Sequence, residues 1–271
     1  MDRTMPQFVR KPVPDLSLAM PCYNEEACLD RTVPPLVEAF RAAGIDLELV
    51  MVDNGSMDRT SEVIDGLIAR GFPIRKVAVP VNRGQGLGIR TGLDACRGRH
   101  IGYLAADGQV APESVLLIYR AVATAGDRTI AKVRRRFRPD SLTRKIVSII
   151  YNVGMLVIFP GMPSMDVNGS PRIMPREILP VMELTSSDWF LEAEIMLKVQ
   201  YLRLMVIEID VPGHLRKGGR SNVSSRTIFE FLRNILRYRV GGPWREWRRR
   251  VSENPMRALH AEESAHVQNS V

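Results

Sequence analysis

The chain has 271 residues, 45% hydrophobic and 25% charged, an ordinary balance for a folded protein that excludes wholesale disorder and leaves material for a sizeable core. Its net charge of +8 points to an anionic partner, which phosphorylated substrates, acidic lipid headgroups and nucleic acid would all satisfy. Cys22, Cys28 and Cys96 have no metal-ligand spacing and are odd in number, so a disulfide framework is not expected and a reducing, cytoplasmic compartment is.

In the first half short apolar runs alternate with helical patterns. Leu16 to Met20, Leu47 to Val52, Arg75 to Val79 and Ile101 to Ala105 read as strands. Between them Glu25 to Ala43, Asp58 to Arg70 and Gly86 to Cys96 read as helices. That alternation predicts right-handed crossovers and a mainly parallel sheet covered on both faces. Farther on, Pro112 to Ala125 reads as a helix, and Thr129 to Val133 as a strand running into the cluster Arg134, Arg135, Arg136 and Arg138. Ser141 to Phe159 reads as an apolar-faced helix and Pro160 to Pro175 as a Pro/Gly-rich passage. Asp188 to Tyr201 is a helix capped by Ser187 or Asp188, Val206 to Val211 a strand, and Ser224 to Arg239 a last helix.

The N-terminus has no apolar core of a signal peptide. The apolar run Ile146 to Phe159 is interrupted by Asn152 and is shorter than the roughly 20 residues of a spanning helix. Contact with a membrane is therefore expected to be peripheral, through the Ser141 to Phe159 helix with Arg144 and Lys145 near the headgroups. No aromatic-interleaved basic pattern suggests nucleic acid as the partner.

Ligands of parallel sheets bind beyond the C-terminal strand ends, and four polar loops lie there. They are Pro21-Cys22-Tyr23-Asn24-Glu25-Glu26, Asp53-Asn54-Gly55-Ser56-Met57-Asp58-Arg59-Thr60, Asn82-Arg83-Gly84-Gln85-Gly86-Leu87-Gly88, and Ala105-Ala106-Asp107-Gly108-Gln109. In this order they resemble the inverting family 2 glycosyltransferases of GT-A fold, above all the branch of polyprenol-phosphate (dolichol-phosphate) mannose and glucose synthases. The resemblance runs from about Leu16 to Arg239. It implies an α/β, Rossmann-like, mainly parallel sheet with helices on both faces and an acceptor-side C-terminal segment. A tail over 1–14 would precede a domain over 15–240, split into a nucleotide-sugar half (15–110) and an acceptor half (111–240). A basic, mobile tail would follow over 241–271.

The implied reaction is metal-dependent, inverting transfer of a hexose from a nucleotide-diphospho-sugar, GDP- or UDP-linked, to polyprenyl phosphate at the inner face of the cytoplasmic membrane. Two alternatives keep the donor: a hydroxyl acceptor, which needs Asp188, Glu192 or Glu194 as general base, or a catalytically weakened nucleotide-sugar-binding partner. Donor contacts fall on Pro21, Tyr23, Asn24, Glu25, Asp53, Asn82, Arg83, Gly84, Gly86, Ala106 and Asp107. Tyr23 and Glu25 suit a base and ribose, although Asn24 and the acids after it also read as a helix start. Asp53 either meets the base or forms an Asx turn; Asp58 fits better as a helix cap. Gly84 and Gly86 let backbone approach the donor at a helix N-terminus, and Arg83 supplies a charge where relatives carry Lys at Gln85.

Asp107 is the expected catalytic centre, holding Mg²⁺ or Mn²⁺ with Gln109. Relatives commonly carry Asp-x-Asp here, and this chain has Ala105 at the first acid. Arg134, Arg136, Arg144, Arg216 and Arg220 are the expected phosphate-binding cations of the acceptor side, joined by His214. Glu194, on an apolar helix face, is either paired with an arginine or used at the acceptor site. Oligomeric state is not readable from the sequence.

Overall fold

The computed structural model describes residues 13–136, 151–164, 166–212, 233–235, 238 and 241–253. Strands β1 (Leu16–Cys22) and β2 (Leu47–Asp53) have apolar residues at almost every position because both sheet faces are covered. Successive side chains point to opposite faces, so Ala19, Val50 and Val52 enter one core while Leu18, Met20, Leu49 and Met51 enter the other. Helices α1 (Glu26–Ala42), α2 (Thr60–Ala69) and α4 (Pro112–Thr124) cover the second core; α3 (Gln85–Ala95) covers the first.

The remaining strands are β3 (Ile74–Ala78), β4 (His100–Tyr103), β5 (Thr129–Arg136), β6 (Arg172–Pro175) and β7 (Met205–Pro212). They form one seven-stranded sheet in the order β3-β2-β1-β4-β6-β5-β7. All strands but β6 run the same way; β6 is antiparallel to both β4 and β5. The mainly parallel expectation holds. β6 falls in the passage whose sequence suggests only irregular Pro/Gly-rich chain, because four residues ending in proline carry no usable periodicity. Two further helices complete this half, α5 (Ile178–Met182) and α6 (Leu191–Tyr201), and residues 151–158 are helical.

Glycines set how closely α3 lies on the sheet. Gly88 and Gly92 are one turn apart, and a Cβ on Gly92 would stand 2.6 Å from the Ala19 Cβ and 3.0 Å from Val52. Gly92→Ala is expected to cost about 1–3 kcal/mol by overpacking. Gly66→Ala, on α2 with open space around it, should instead gain about 0.5–1 kcal/mol. Urea denaturation of the two variants checks both signs.

The basic tail expected from 241 needs correcting. Residues 242–253 form helix α7 (Gly242–Glu253), and Trp247 is only 2% exposed. Its Nε1 donates to the Val181 carbonyl at 3.1 Å, and its ring stacks on Trp244 at 5.1 Å. Trp244, Trp247 and Val251 recur at helical spacing, an apolar stripe hidden in the sequence by the surrounding arginines. Among the described residues no helix is long and apolar enough to cross a membrane.

Candidate functional site

Parallel pairing of β1 with β2 and β4 brings three loops to one sheet edge: Cys22 lies opposite Asp53, and Ala19 opposite Tyr103. The first two loops are sewn together by side chains bonded to backbone. Asn24, in the left-handed region at φ 55°, accepts the Met57 amide on Oδ1 at 2.8 Å. Its own amide donates to Ser56 Oγ, and the Glu25 amide to Thr60 Oγ1. Asp58 accepts the amides of Glu26 and Thr60, so it joins the starts of α1 and α2 from the position before Arg59, the N-cap of α2. Burial pushes the Asp58 carboxyl up, but the hydrogen bonds from Thr60 and Glu26 outweigh this and hold it below its ordinary range. Asp53 Oδ1 accepts the amide of Ser56, three residues on, at 3.0 Å, which folds the loop back on the strand end; its other oxygen accepts no hydrogen bond among the described residues. Pro21 and Tyr23 are half-buried beside it, and Glu25 is buried.

The third loop differs from expectation. Asn82 Oδ1 accepts the Gly84 amide at 2.8 Å, and the Gly84 carbonyl accepts Asn54 Nδ2 at 3.1 Å. A Cβ on Gly84 would stand 2.5 Å from the Ser187 carbonyl, and one on Gly86 2.5 Å from that of Asp188. The Leu87 amide donates to the Ser187 carbonyl at 2.9 Å. These glycines therefore make room for another stretch of this chain, whatever else approaches them. Arg83 is exposed.

After β4 the chain turns through Gly108 at φ 67°. Ala106 is buried and anchors the turn, while half-buried Asp107 accepts the Gln109 amide on Oδ1 at 3.1 Å. No group of three or more His, Cys, Asp or Glu suited to a metal occurs among the described residues. What the turn offers is one carboxylate and one amide oxygen, both hard ligands, with half-buried Ala105 where a second carboxylate would sit. That set fits an Mg²⁺ or Mn²⁺ ion that takes its remaining ligands from diphosphate oxygens and water.

A charged layer lies beneath this edge. Arg172 on β6, with no exposure, donates through Nη2 to the Val167 carbonyl at 2.8 Å and lies 3.4 Å from Glu192 Oε2. Tyr103 Oη donates to the same carboxylate oxygen at 2.7 Å. Burial, and next the Glu192 charge, push the Tyr151 hydroxyl well up. Opposite Arg172 in the register, buried Lys132 bonds Ser164 Oγ at 2.7 Å and Glu208 at 3.1 Å.

Burial, and next the Arg172 charge, bring the Lys132 ammonium down from 10.5 to about 8. Between about pH 8 and 10.5 the unfolded chain thus holds more protons at this site, and stability contributed there rises with pH. Below pH 8 both states are protonated and the penalty is complete. The stability difference between the wild type and Lys132→Met, followed by urea denaturation from pH 7.5 to 10, is expected to grow in favour of the wild type.

On the acceptor side, Glu194 is engaged internally. It is fully buried, 2.6 Å from Lys198 Nζ, and it accepts the Thr185 amide at 3.0 Å and the Ser186 amide at 2.8 Å. Burial pushes it up, but Lys198 and the Ser186 bond more than compensate, leaving it below the usual carboxylate range. The ion pair it makes is with a lysine one turn along, where the sequence suggests an arginine. Glu192 is the carboxylate of this helix that faces Tyr103, and the apolar pattern around both acids could not tell them apart. Arg134 lies alongside Asp210 at 2.9 Å. Arg136 is described as the last backbone position of β5, and Arg144, His214, Arg216 and Arg220 lie outside the described residues.

Residues 17–179 match the family model described as glycosyl transferase family 2. Over 145 residues the chain is 32% identical to undecaprenyl-phosphate 4-deoxy-4-formamido-L-arabinose transferase of Pseudomonas paraeruginosa, covering 53% of this chain and 42% of that protein. It is 25% identical over 228 residues to dolichol-phosphate mannosyltransferase of Pyrococcus furiosus, covering 82% and 63%. The chain thus spans about two fifths to two thirds of the lengths of these relatives. Glucosyl-3-phosphoglycerate synthase of Mycobacterium tuberculosis, solved with Mn²⁺ and UDP-glucose, superposes with a TM-score of 0.63 at 17% identity, over 83% of this chain and 79% of that one. That likeness establishes the expected α/β fold. With the model spanning more than half of its length, the chain belongs to glycosyl transferase family 2.

Proposed function

We propose that the chain transfers a hexose from a nucleoside-diphosphate sugar to a polyprenyl phosphate with inversion. The observation that carries the choice of acceptor is the state of the three candidate bases. Glu192 is held by Tyr103 and Arg172, Glu194 by Lys198, Thr185 and Ser186. Asp188 accepts the Phe190 amide on one oxygen and Asn234 on the other. A hydroxyl nucleophile must lose a proton to a positioned base; a phosphate monoester is already an anion at neutral pH and needs orientation and charge neutralisation. The names of the Pseudomonas and Pyrococcus relatives, with their lipid-phosphate acceptors, support the same choice.

In this reading Tyr23, Glu25 and Asp53 receive the nucleoside, and Asp107 with Gln109 holds the divalent ion. The ion supplies charge neutralisation for the leaving diphosphate. The acceptor oxygen attacks the anomeric carbon from the face opposite the diphosphate, forming one C–O bond as the other breaks, and the nucleoside diphosphate departs with the electron pair. Arg136, Arg144, His214, Arg216 and Arg220 remain the proposed phosphate contacts, with Arg134 held in reserve by Asp210. The donor nucleotide, GDP or UDP, and peripheral seating at the inner membrane face belong to the same proposal. Incubating the protein with radiolabelled nucleotide sugars and polyprenyl phosphate tests it. Label should enter an organic-extractable, mild-acid-labile lipid; transfer solely to water-soluble acceptors would overturn it.

A further inference from the structure

The segment 185–188 touches the loop 82–88 at several points, and its own grip lies deep in the protein. On the loop side, the Ser187 carbonyl accepts the Leu87 amide at 2.9 Å, and the Ser187 and Asp188 backbone fills the space that side chains at Gly84 and Gly86 would need. Arg90 on α3 adds a bond from Nη1 to the Thr185 carbonyl at 2.7 Å. On the inner side, the fully buried Glu194 carboxylate accepts the amides of Thr185 and Ser186 and the Thr185 hydroxyl. Lys198 neutralises that carboxylate and donates to the Glu183 carbonyl at 2.9 Å, just before the segment begins. Trp247 of α7 covers the Lys198 ammonium at 5.0 Å, and Arg250 pairs with the Glu183 side chain at 2.7 Å.

We infer that this strap, clamped by Glu194 and Lys198, sets the position of the loop 82–88, and that Glu194 is a positioning residue for nucleoside-diphosphate binding. The inference rests on the reading of that loop as donor-binding. An ordinary structural ion pair needs no bonds to the backbone of a neighbouring loop. Here one carboxylate takes up two consecutive amides, and the next residue's carbonyl holds the glycine loop. The Gly84 carbonyl then fixes Asn54, next to Asp53, so the chain of contacts continues to the second strand-end loop. A charge-assisted bond of this kind is strong and geometrically narrow, which suits a device that holds one backbone against another.

The test uses the full chain, with Glu194→Gln and Arg90→Met beside the wild type. The two readouts are amide hydrogen exchange at Gly84 and Leu87, and the affinity of UDP and of GDP in the presence of Mn²⁺. Glu194→Gln is expected to speed exchange at Leu87 and to weaken the preferred nucleotide about tenfold, with turnover at saturating donor nearly unchanged. Arg90→Met, at a half-buried position on α3 that is itself no proposed ligand contact, is expected to do the same about threefold. Should Glu194→Gln fail to fold, Arg90→Met decides. Wild-type exchange and affinity in folded variants overturn the inference. If the wild type binds neither nucleotide, the donor-site reading falls, whereas faster exchange at Leu87 in the variants still upholds the strap.

Discussion

Asp107→Ala is expected to abolish metal-dependent donor binding and to lower kcat/KM by about a thousandfold, a loss at the upper end for removal of one transition-state charge contact. The size follows from the ligand set. Relatives with two acids in this motif keep one when the other is removed, but this chain has Ala105 there and retains just the amide of Gln109. The same substitution should barely change stability, by less than about 1 kcal/mol, since Asp107 is half-buried and closes a surface turn through one bond. Titrating activity with Mn²⁺ and following thermal unfolding in parallel separates the two effects. Retained activity would falsify the placement of the centre on this turn. Ala105→Asp supplies the missing carboxylate and should lower the Mn²⁺ concentration for half-maximal activity.

Arg172→Ala is expected to have the opposite signature, a loss of about 3–5 kcal/mol of stability, because it strands a buried carboxylate. Glu192 would keep the Tyr103 hydroxyl and lose its cation, in a place where water does not reach. The cavity left by the guanidinium adds to the cost. Glu192→Gln, which keeps the shape and removes the charge, also leaves Arg172 unpaired. The double variant Arg172→Met with Glu192→Gln should recover part of the loss, since removing both charges of a buried pair is often close to neutral. Urea midpoints of the single and double variants provide the measurement. A loss below about 1 kcal/mol for Arg172→Ala would mean that Glu192 does not depend on this cation for its burial.

Much of the site was legible where a strand ends in a polar turn. Buried strands such as Leu47–Asp53 announce themselves as apolar runs, and the polar residues just after them must lie at one sheet edge if the strands are parallel. That placed Asp53 and Asp107 together from spacing and topology. What spacing could not assign was the work done by each side chain. Asn24 reads equally as a donor contact or a helix start, and in the fold its amide group bridges to Met57. Gly84 and Gly86 announce a close backbone approach, but the approaching backbone is residues 187 and 188, about a hundred positions away in the chain.

The sequence by itself determined the fold class, the family and the strand-end position of the candidate site. Those follow from local periodicity and from short motifs, which survive without knowledge of neighbours. The tertiary structure alone decided which charges are spent internally. Glu192 and Glu194 lie on the same helix among the same apolar residues, yet one meets Tyr103 and Arg172, the other Lys198 and the 185–186 amides. It also decided that β6 enters the sheet antiparallel, and that the arginine-rich stretch from Gly242 forms a helix that buries Trp247 against the domain. Each outcome depends on partners far away in sequence, and a buried charge or an isolated aromatic carries no sign of its partner in its own segment.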